Sequence, residues 1–497
     1  MGLKRHFPRI KKRFYLEGAF TLAHHSLIEG LFLIGFASAL GADNFELGVI
    51  LSIPLFANLL QMFSAFILET VGSRKYTCLI SLFIGRAVWI AVILAAFGLF
   101  GQGRALIMPF ITVLLVSYVF IAIGNLALLS WIKEIVPVTK LSKFFGKRNI
   151  YASAFGAVAF LIGSRVIDSF EHMRTYGYIF LTSMILGLIG LTFLIKVPDQ
   201  KQKVRAIKPR LFLRRLLMPF QNPGYRTLLY FGLFWGFAIN IASSFFIVFM
   251  LNDLGIDYFT VSIFVLASTI ARIYGLSVWG KMGDEFGAKP MLALSATVTS
   301  CVPLAFVFIN KSNYLLIPII YVVSAISWSA IDISISQLLF KTAPKRNDAY
   351  FLANYTSLTG LFAAFGPLLA GYLATVVKDS TLPLFHYTYP LKYVFIMAFV
   401  ARVLCLPLIS RIQEPRAKEI DEVLDMVKSM RYFSFFSNIY FFASSASKIV
   451  LVPQKQLFWA RRETVKHVRT ARTKVKEKIS RQRQQRKEKK AVRRAKK

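Results

Sequence analysis

Histidine, glutamate and arginine side chains interrupt stretches of sequence that are otherwise apolar. His25 and Glu29 are four residues apart, so their side chains share one face of a helix. A carboxylate in apolar surroundings is costly to keep charged, and it can therefore take up and release a proton. We predict that Glu29 carries protons, with His25 as its neighbour. The alternative is that Glu29 pairs with a basic residue and only braces the protein.

Arg86, Arg272 and Asp332 are also embedded in apolar sequence. The planar guanidinium group of arginine matches a carboxylate or phosphate group, so Arg86 and Arg272 could hold an anionic substrate. They could equally form structural ion pairs, Arg86 with Glu29 and Arg272 with Asp332.

Three further residues, Asn125, Asn240 and Trp328, place polar or aromatic groups at similar depth in the apolar sequence. Amide groups in such surroundings either line a polar path or form hydrogen bonds between helices, and the second role is common. We include all three among the candidate substrate contacts.

Catalytic and metal-binding patterns find little support. His25 and Glu29 have the spacing of metal ligands on a helix, but no further ligand lies near them in the sequence. There is no glycine-rich phosphate-binding loop and no catalytic triad pattern. The three cysteines, Cys78, Cys301 and Cys405, form no CxxC pair. We predict that the protein is not an enzyme and that it has no metal site and no cofactor.

Twelve apolar stretches must position these side chains, each near the length of roughly twenty residues that crosses a bilayer. Their approximate bounds are 19–42, 45–68, 77–100, 105–132, 149–168, 176–196, 226–251, 258–281, 290–309, 314–340, 348–376 and 391–411. The hydrophobic content of 56% is too high for a soluble globular chain. The sequence therefore predicts an all-α, multi-pass membrane protein.

Lysine and arginine collect in alternate connections between these spans, as they do in loops that remain in the cytoplasm. The other connections and their flanks hold only Arg104, Arg174, Lys311, Lys378 and Lys392. This asymmetry predicts that both chain termini are cytoplasmic. We expect the cell (inner) membrane as the location.

The spans divide the chain into two halves and a tail. We predict an N-terminal six-helix bundle at 1–197, a basic cytoplasmic linker at 198–225, a C-terminal six-helix bundle at 226–411 and a tail at 412–497. Residues 453–497 contain 19 lysines and arginines against 3 glutamates. We predict an interfacial helix over 432–452 and contact between the basic end and anionic lipids. A solvated tail and contact with RNA are the alternatives.

An internal repeat connects the two halves. Ala65, Glu69, Gly72, Arg74 and Lys75 follow the second span, and Gly280, Asp284, Gly287 and Lys289 follow the eighth with matching spacing. At these residues the chain resembles the major facilitator superfamily, whose members carry a G-x-x-x-D-R-x-G-R-R/K motif in this loop. The stretch 151–168, with Trp131, Pro137, Phe144, Phe145, Arg148 and Asn149 before it, looks like a pattern of uncharacterised bacterial members. The first copy departs from the motif at Ala65, Glu69, Thr70 and Ser73.

The resemblance implies two six-helix bundles around a central cavity and transport by alternating access. Glu69 and Asp284 would then steady the cytoplasmic gate, together with Gly72, Arg74, Gly280 and Gly287. Cavity residues in this family come mostly from spans 1, 4, 7 and 10, which favours Glu29, His25 and Asp332 over Arg402 in the last span. We predict a monomeric secondary transporter, a symporter, that couples protons to a small organic solute. The alternatives are a lipid or amphiphile translocase and a non-transporting scaffold or receptor that acts through its tail.

Overall fold

The structure is a computed structural model of the 497-residue chain. It describes residues 2–101, 103–137, 141–170, 172–199, 218–342, 348–378, 389–412 and residue 414. Regular structure in these ranges is helical apart from one isolated bridge between Leu99 and Gly101. The predicted interfacial helix and nearly all of the tail lie outside the described residues, as do residues 200–217 of the linker.

The described part of the N-terminal half contains eight α-helices. They are α1 Gly2–Ile28, α2 Leu31–Ala39, α3 Asn44–Val71, α4 Arg74–Ala87, α5 Trp89–Ala96, α6 Ile107–Ile135, α7 Leu141–Ser169 and α8 Met173–Ile195. The described part of the C-terminal half contains seven more. They are α9 Pro223–Ala242, α10 Phe245–Val248, α11 Tyr258–Phe286, α12 Ala288–Val307, α13 Ile317–Thr342, α14 Asp348–Lys378 and α15 Leu391–Ser410.

These helices form the predicted membrane passages. Eleven segments of the described chain are long and apolar enough to cross a bilayer, and α3 supplies a twelfth passage whose apolar part is Asn44–Leu59. The predicted fold class, twelve spans in two halves, is confirmed.

Three of the spans contain a break between helices. Span 1 is interrupted at Glu29 and Gly30, where Gly30 takes a φ of 53°, a conformation that residues with a Cβ rarely adopt. Span 3 breaks at Val88, and span 7 breaks after Ala242 and ends in a π-helical turn over Phe249–Asp253. Glu29 therefore lies at a helix break, not inside a continuous helix.

Two pairs of helices make most of the contact between the described parts of the two halves. Helix α3 packs along α14, and α7 packs against α11. Close contact of the first pair depends on glycine, because a Cβ on Gly48 would lie 2.4 Å from the carbonyl oxygen of Pro367. Within the halves, α1 packs against α7 and α8, and α11 packs against α13.

We call the end of the bundle that holds Gly72, Val136 and Val197 the basic end, and the end that holds Gly41 and Phe170 the charge-poor end. The largest cluster of buried apolar side chains runs through both halves at the charge-poor end. At the basic end the buried side chains form two separate clusters, one from each half. The described core is therefore continuous between the halves at one end and divided at the other.

Candidate functional site

Glu29 forms the first part of the candidate site. Its Oε1 lies 2.8 Å from Nδ1 of His25 and 3.4 Å from the hydroxyl of Tyr118 on α6. The Glu29 side chain is 44% exposed, whereas His25 is 16% exposed and Tyr118 is buried. A carboxylate that is accessible at a helix break and held by two polar neighbours can exchange a proton without unfolding its surroundings.

A second carboxylate, Glu17, was missed by the sequence reasoning and is fully buried. It accepts hydrogen bonds from Arg148 of α7 at 2.8 Å and from the hydroxyl of Thr21 at 2.8 Å. Arg86 of α4 donates to the same Thr21 hydroxyl at 2.9 Å and to the carbonyl of Gly187 on α8. This buried network joins four helices of the N-terminal half.

The network does not contain the predicted ion pair between Arg86 and Glu29. Arg86 is 1% exposed, its guanidinium group is held by Thr21 and Gly187, and the ion pair with Glu29 is absent among the described residues. The negative charge nearest to Arg86 in this network belongs to Glu17. The sequence carried a signal for this arrangement, because Glu17, Thr21 and His24 recur at helical spacing.

His24 extends the same buried region. Its Nδ1 lies 2.7 Å from the Ser183 hydroxyl, while its Nε2 is buried without a hydrogen-bond partner among the described residues. The adjacent Gly187 leaves room for it, since a Cβ there would lie 3.0 Å from both His24 and Arg86.

The C-terminal half holds the remaining predicted charges. The predicted ion pair between Arg272 on α11 and Asp332 on α13 is present, and both side chains are about half exposed. Arg272 and Trp328 line a cavity of about 250 Å³, whose wall also includes Arg402. Arg402 is almost fully buried.

The two predicted asparagines do not join these groups. Asn240 donates to the Gly236 carbonyl of its own helix at 2.8 Å and accepts from Ser243 at 3.3 Å. Asn125 is exposed on α6. The structure thus brings the predicted residues together in two places, one in each half.

Polar contacts between the halves reinforce closure at the charge-poor end. The Asp168 carboxylate of α7 accepts hydrogen bonds from the backbone N–H groups of Tyr258 and Phe259, at 2.9 and 2.7 Å. These groups begin α11, so a negative charge from one half covers the helix N-terminus of the other. The Tyr176 hydroxyl lies 2.7 Å from the Tyr258 hydroxyl, and the Ser164 hydroxyl donates to the Ser262 hydroxyl at 2.9 Å.

Replacing Asp168 with alanine is expected to open the charge-poor end. A carboxylate at a helix N-terminus typically contributes roughly 0.5–2 kcal/mol, so the closed form should lose up to about thirtyfold in relative population. The measurement is double electron–electron resonance between spin labels at Phe45 and Val376, exposed positions on α3 and α14 at this end. The native cysteines are first replaced by alanine.

Asp257 provides the matched control. It accepts from Thr260 N at 2.8 Å and so caps the same helix from within its own half. Asp257→Ala should lower thermal stability without lengthening the distance between the two labels. Equal distance changes in the two variants would show that Asp168 has no specific role in closure.

The predicted gate motif is only partly described. Glu69 and Asp284 lie in α3 and α11, but their side chains lie outside the described residues, so their gating role stays a prediction. Arg74 forms an ion pair with Glu134 of α6. Gly72 and Gly287 have positive φ, 68° and 92°, in equivalent loops of the two halves. A Cβ on Gly280 would meet nothing within 4 Å.

Two acids that the sequence reasoning missed brace these loops. Asp199 accepts from Ser73, the N-cap residue of α4, at 2.6 Å. Glu414 accepts from the backbone N–H groups of Ala288 and Lys289, which begin α12, at 3.1 and 2.7 Å. Each acid lies shortly after the final helix of its half. In both repeats, an acid from this position contacts the start of the helix that follows the motif loop.

Replacing Glu414 with glutamine is expected to destabilise the C-terminal half by roughly 0.5–2 kcal/mol, the usual range for a lost helix cap. Lys341→Met is the graded control, since it removes only the amine that contacts Glu414 and leaves both backbone donors. Its effect on the melting temperature of the detergent-solubilised protein should be smaller. An equal effect would contradict the capping role.

This contribution should depend on pH. Burial raises the pKa of Glu414, but hydrogen bonds from Lys341, Lys289 and Ala288 outweigh it and the net pKa is lowered. The stabilisation is therefore complete above the ordinary glutamate pKa of about 4.3 and is lost as the pH falls through the lowered value. In Glu414→Gln this acid-induced loss should be diminished.

Comparisons with known proteins agree with this architecture. The sequence matches the family model described as Major Facilitator Superfamily over residues 19–349 and again over 232–460. No curated protein matches the sequence.

Solved transporters show a similar fold at low sequence identity. A mutant of the nucleoside transporter NupG aligns at TM-score 0.66 and 14% identity, covering 82% of this chain and 100% of that chain. A D-xylose-proton symporter aligns at TM-score 0.62 and 13% identity, covering 84% of this chain and 99% of the symporter chain. A bacterial homologue of the human lysosomal transporter Spinster, inward-facing and unoccupied, aligns at TM-score 0.56 and 11% identity, covering 81% and 94%. The fold, the repeated loops and the family match together establish that this chain belongs to the major facilitator superfamily.

Proposed function

We propose that the protein is a secondary transporter that moves a small organic solute by alternating access. The observation that carries this proposal is the uneven packing of the two halves. They share an apolar core and polar contacts at the charge-poor end, whereas the described buried side chains at the basic end form one cluster in each half. Such packing is expected of a bundle that is closed at the charge-poor end, and the exchange of closure between the ends would expose a central site to the other side.

Proton coupling through Glu29 forms the second part of the proposal. Glu17 is buried in an ion pair and cannot lose its charge without leaving Arg148 unpaired, whereas Glu29 is accessible and contacts groups that can share a proton. His25 is the nearest such group. Glu29 is therefore the better proton carrier of the two acids in span 1.

The orientation proposed for the chain follows from its charge distribution. The basic end would face the cytoplasm, both termini included, and the protein would lie in the cell (inner) membrane as a monomer. The halves would be 1–197 and 226–411, joined by the linker at 198–225. The tail at 412–497 would contact anionic lipids.

One feature favours the lipid or amphiphile translocase as a second candidate. An apolar groove of about 520 Å³ lies between α1, α7 and α8, lined by Phe155, Val158 and Ile162, whose side chains are exposed. An acyl chain would fit such a groove. Transport that does not respond to a proton gradient would favour this function over proton-coupled solute transport.

A ligand screen tests the proposal. Detergent-purified wild type and Glu29→Gln are heated with a metabolite library sorted by charge, at acidic and alkaline pH. A compound that stabilises wild type in a pH-dependent manner, with that dependence lost in the variant, would support proton-coupled transport. Stabilisation by lipids alone would favour the translocase, and a tail deletion that removes the cellular phenotype while the chain binds no ligand would favour the scaffold.

A further inference from the structure

The cavity in the C-terminal half is lined by both polar and apolar side chains. It measures about 250 Å³ and lies among α9, α10, α11, α12, α13 and α15. Besides Arg272, Arg402 and Trp328, its wall includes the hydroxyl-bearing residues Ser243, Ser268, Thr269, Tyr321 and Ser324. This volume suits a small molecule or one polar group of a larger one.

Arg402 is a buried positive charge without an acidic partner. It is 2% exposed, and no described aspartate or glutamate forms an ion pair with it. Its Nη1 donates to the Thr299 carbonyl at 2.9 Å and its Nη2 to the Ile239 carbonyl at 3.1 Å. Its Nε has no hydrogen-bond partner among the described residues. Burial of an uncompensated charge in a membrane protein is costly and commonly marks a functional site.

Part of this arrangement has a structural explanation. Pro303 lacks the N–H group that would bond to the Thr299 carbonyl four residues earlier in α12, and Arg402 supplies a donor to that carbonyl. A hydrogen-bond donor without a charge could satisfy the same carbonyl if it reached that position. The structural role therefore accounts for the hydrogen bond but not for the charge.

Arg272 lines the same cavity from α11. Its guanidinium group is bound by Asp332, and both side chains are about half exposed. The three charges of Arg402, Arg272 and Asp332 leave a net charge of about +1 at this site. An anionic group that enters the cavity could replace the Asp332 carboxylate on Arg272, because both present the same paired oxygens.

We propose that this cavity binds the carboxylate or phosphate group of a small organic anion, with Arg402 at the buried side and Arg272 at the accessible side. The inference rests on the proposed transport function and names the substrate class. In the absence of the anion, Asp332 forms the ion pair with Arg272, and it competes with the anion for that guanidinium group. Removing the charge of either arginine should therefore weaken anion binding, whereas removing the charge of Asp332 should strengthen it.

The test measures thermal stability of the full-length protein in detergent with succinate, inorganic phosphate, glucose and choline, at constant ionic strength with sodium chloride. Succinate or phosphate should raise the melting temperature of wild type in a saturable manner, and glucose and choline should not. The anion concentration that gives half of the maximal rise should be at least about tenfold higher in Arg402→Gln and Arg272→Gln, because a charge-assisted contact is lost. In Asp332→Asn this concentration should be lower than in wild type.

Arg165→Gln is the matched control, because Arg165 is also an arginine of a membrane span but lies over the Phe259 ring, outside the cavity. The anion concentration for half-maximal stabilisation of this variant should equal that of wild type. If neither anion stabilises wild type, or if the Arg402 and Arg272 variants respond as wild type does, the anion site is refuted. If Arg402→Gln does not fold, Arg272→Gln and Asp332→Asn still decide, since both positions are half exposed.

Failure of this inference can be distinguished from failure of the proposed function. A transporter of neutral solutes would show no anion effect, yet the closure of its two ends would still alternate. A protein whose ends do not alternate would contradict the transport proposal even if the cavity bound succinate.

Discussion

Replacing Glu29 with glutamine is expected to abolish the pH dependence of the equilibrium between the two conformations. If one conformation binds the Glu29 proton ten times more tightly than the other, a pH change across its titration shifts the populations about tenfold. Glutamine keeps the size of the side chain but cannot titrate. The measurement is the distance between spin labels at Phe45 and Val376 from acidic to alkaline pH.

Glu46→Gln is the control for this experiment. Glu46 is another carboxylate of the N-terminal half, 14% exposed and paired with Arg104 at 3.1 Å at the charge-poor end. That variant should keep the pH response of wild type. A Glu29→Gln protein that still changes its distance with pH would assign proton coupling to a different residue.

Replacing Glu17 with alanine should destabilise the protein more than any other single change considered. It removes a fully buried carboxylate and leaves Arg148 and, through Thr21, Arg86 without their negative partner. Breaking one side of a buried ion pair typically costs about 3–5 kcal/mol. We expect a large loss of folded protein on size-exclusion chromatography and a lower melting temperature.

A double variant separates the lost charge from the lost packing. Glu17→Ala with Arg148→Met removes both members of the pair, so no unpaired charge remains between them. It should be more stable than Glu17→Ala alone, which a double-mutant cycle would measure. If the two changes destabilise additively, the pair does not contribute through its charges.

The sequence predicts the fold well because the membrane imposes strong constraints on composition. Length and hydropathy determine the spans, and the charge asymmetry of the loops indicates one orientation. Helix breaks are harder to predict. Gly30 and Gly35 lie in the same span, and only the tertiary surroundings cause the chain to break at the first and continue through the second.

The site was predicted only in part, for physical reasons that differ among its residues. Glu17 lies before the apolar stretch, and the sequence does not show that α1 extends far beyond that stretch. Asp168 acts through backbone N–H groups about ninety residues away in the other half, a contact that has no local pattern. Asp199 and Glu414 follow their spans without a motif, and their roles emerge only once the starts of α4 and α12 are known.

Arg402 shows why residue type alone was insufficient. Its position in the last span argued against a substrate contact, yet the span packs so that this side chain reaches the cavity. Pro303 in a different helix provides a reason for its orientation. The Arg272–Asp332 pair, in contrast, was predictable as a pair of opposite charges at membrane depth.

The central claim is that closure alternates between the two ends of the bundle. It is tested most directly by measuring two distances in the same preparation, one between labels at Phe45 and Val376 at the charge-poor end and one between labels at Lys147 and Phe340 at the basic end, all exposed positions. We predict reciprocal changes in Asp168→Ala relative to wild type: the first distance lengthens while the second shortens. If the first lengthens while the second stays constant, or if neither distance changes with this variant or with pH, the protein does not operate by alternating access.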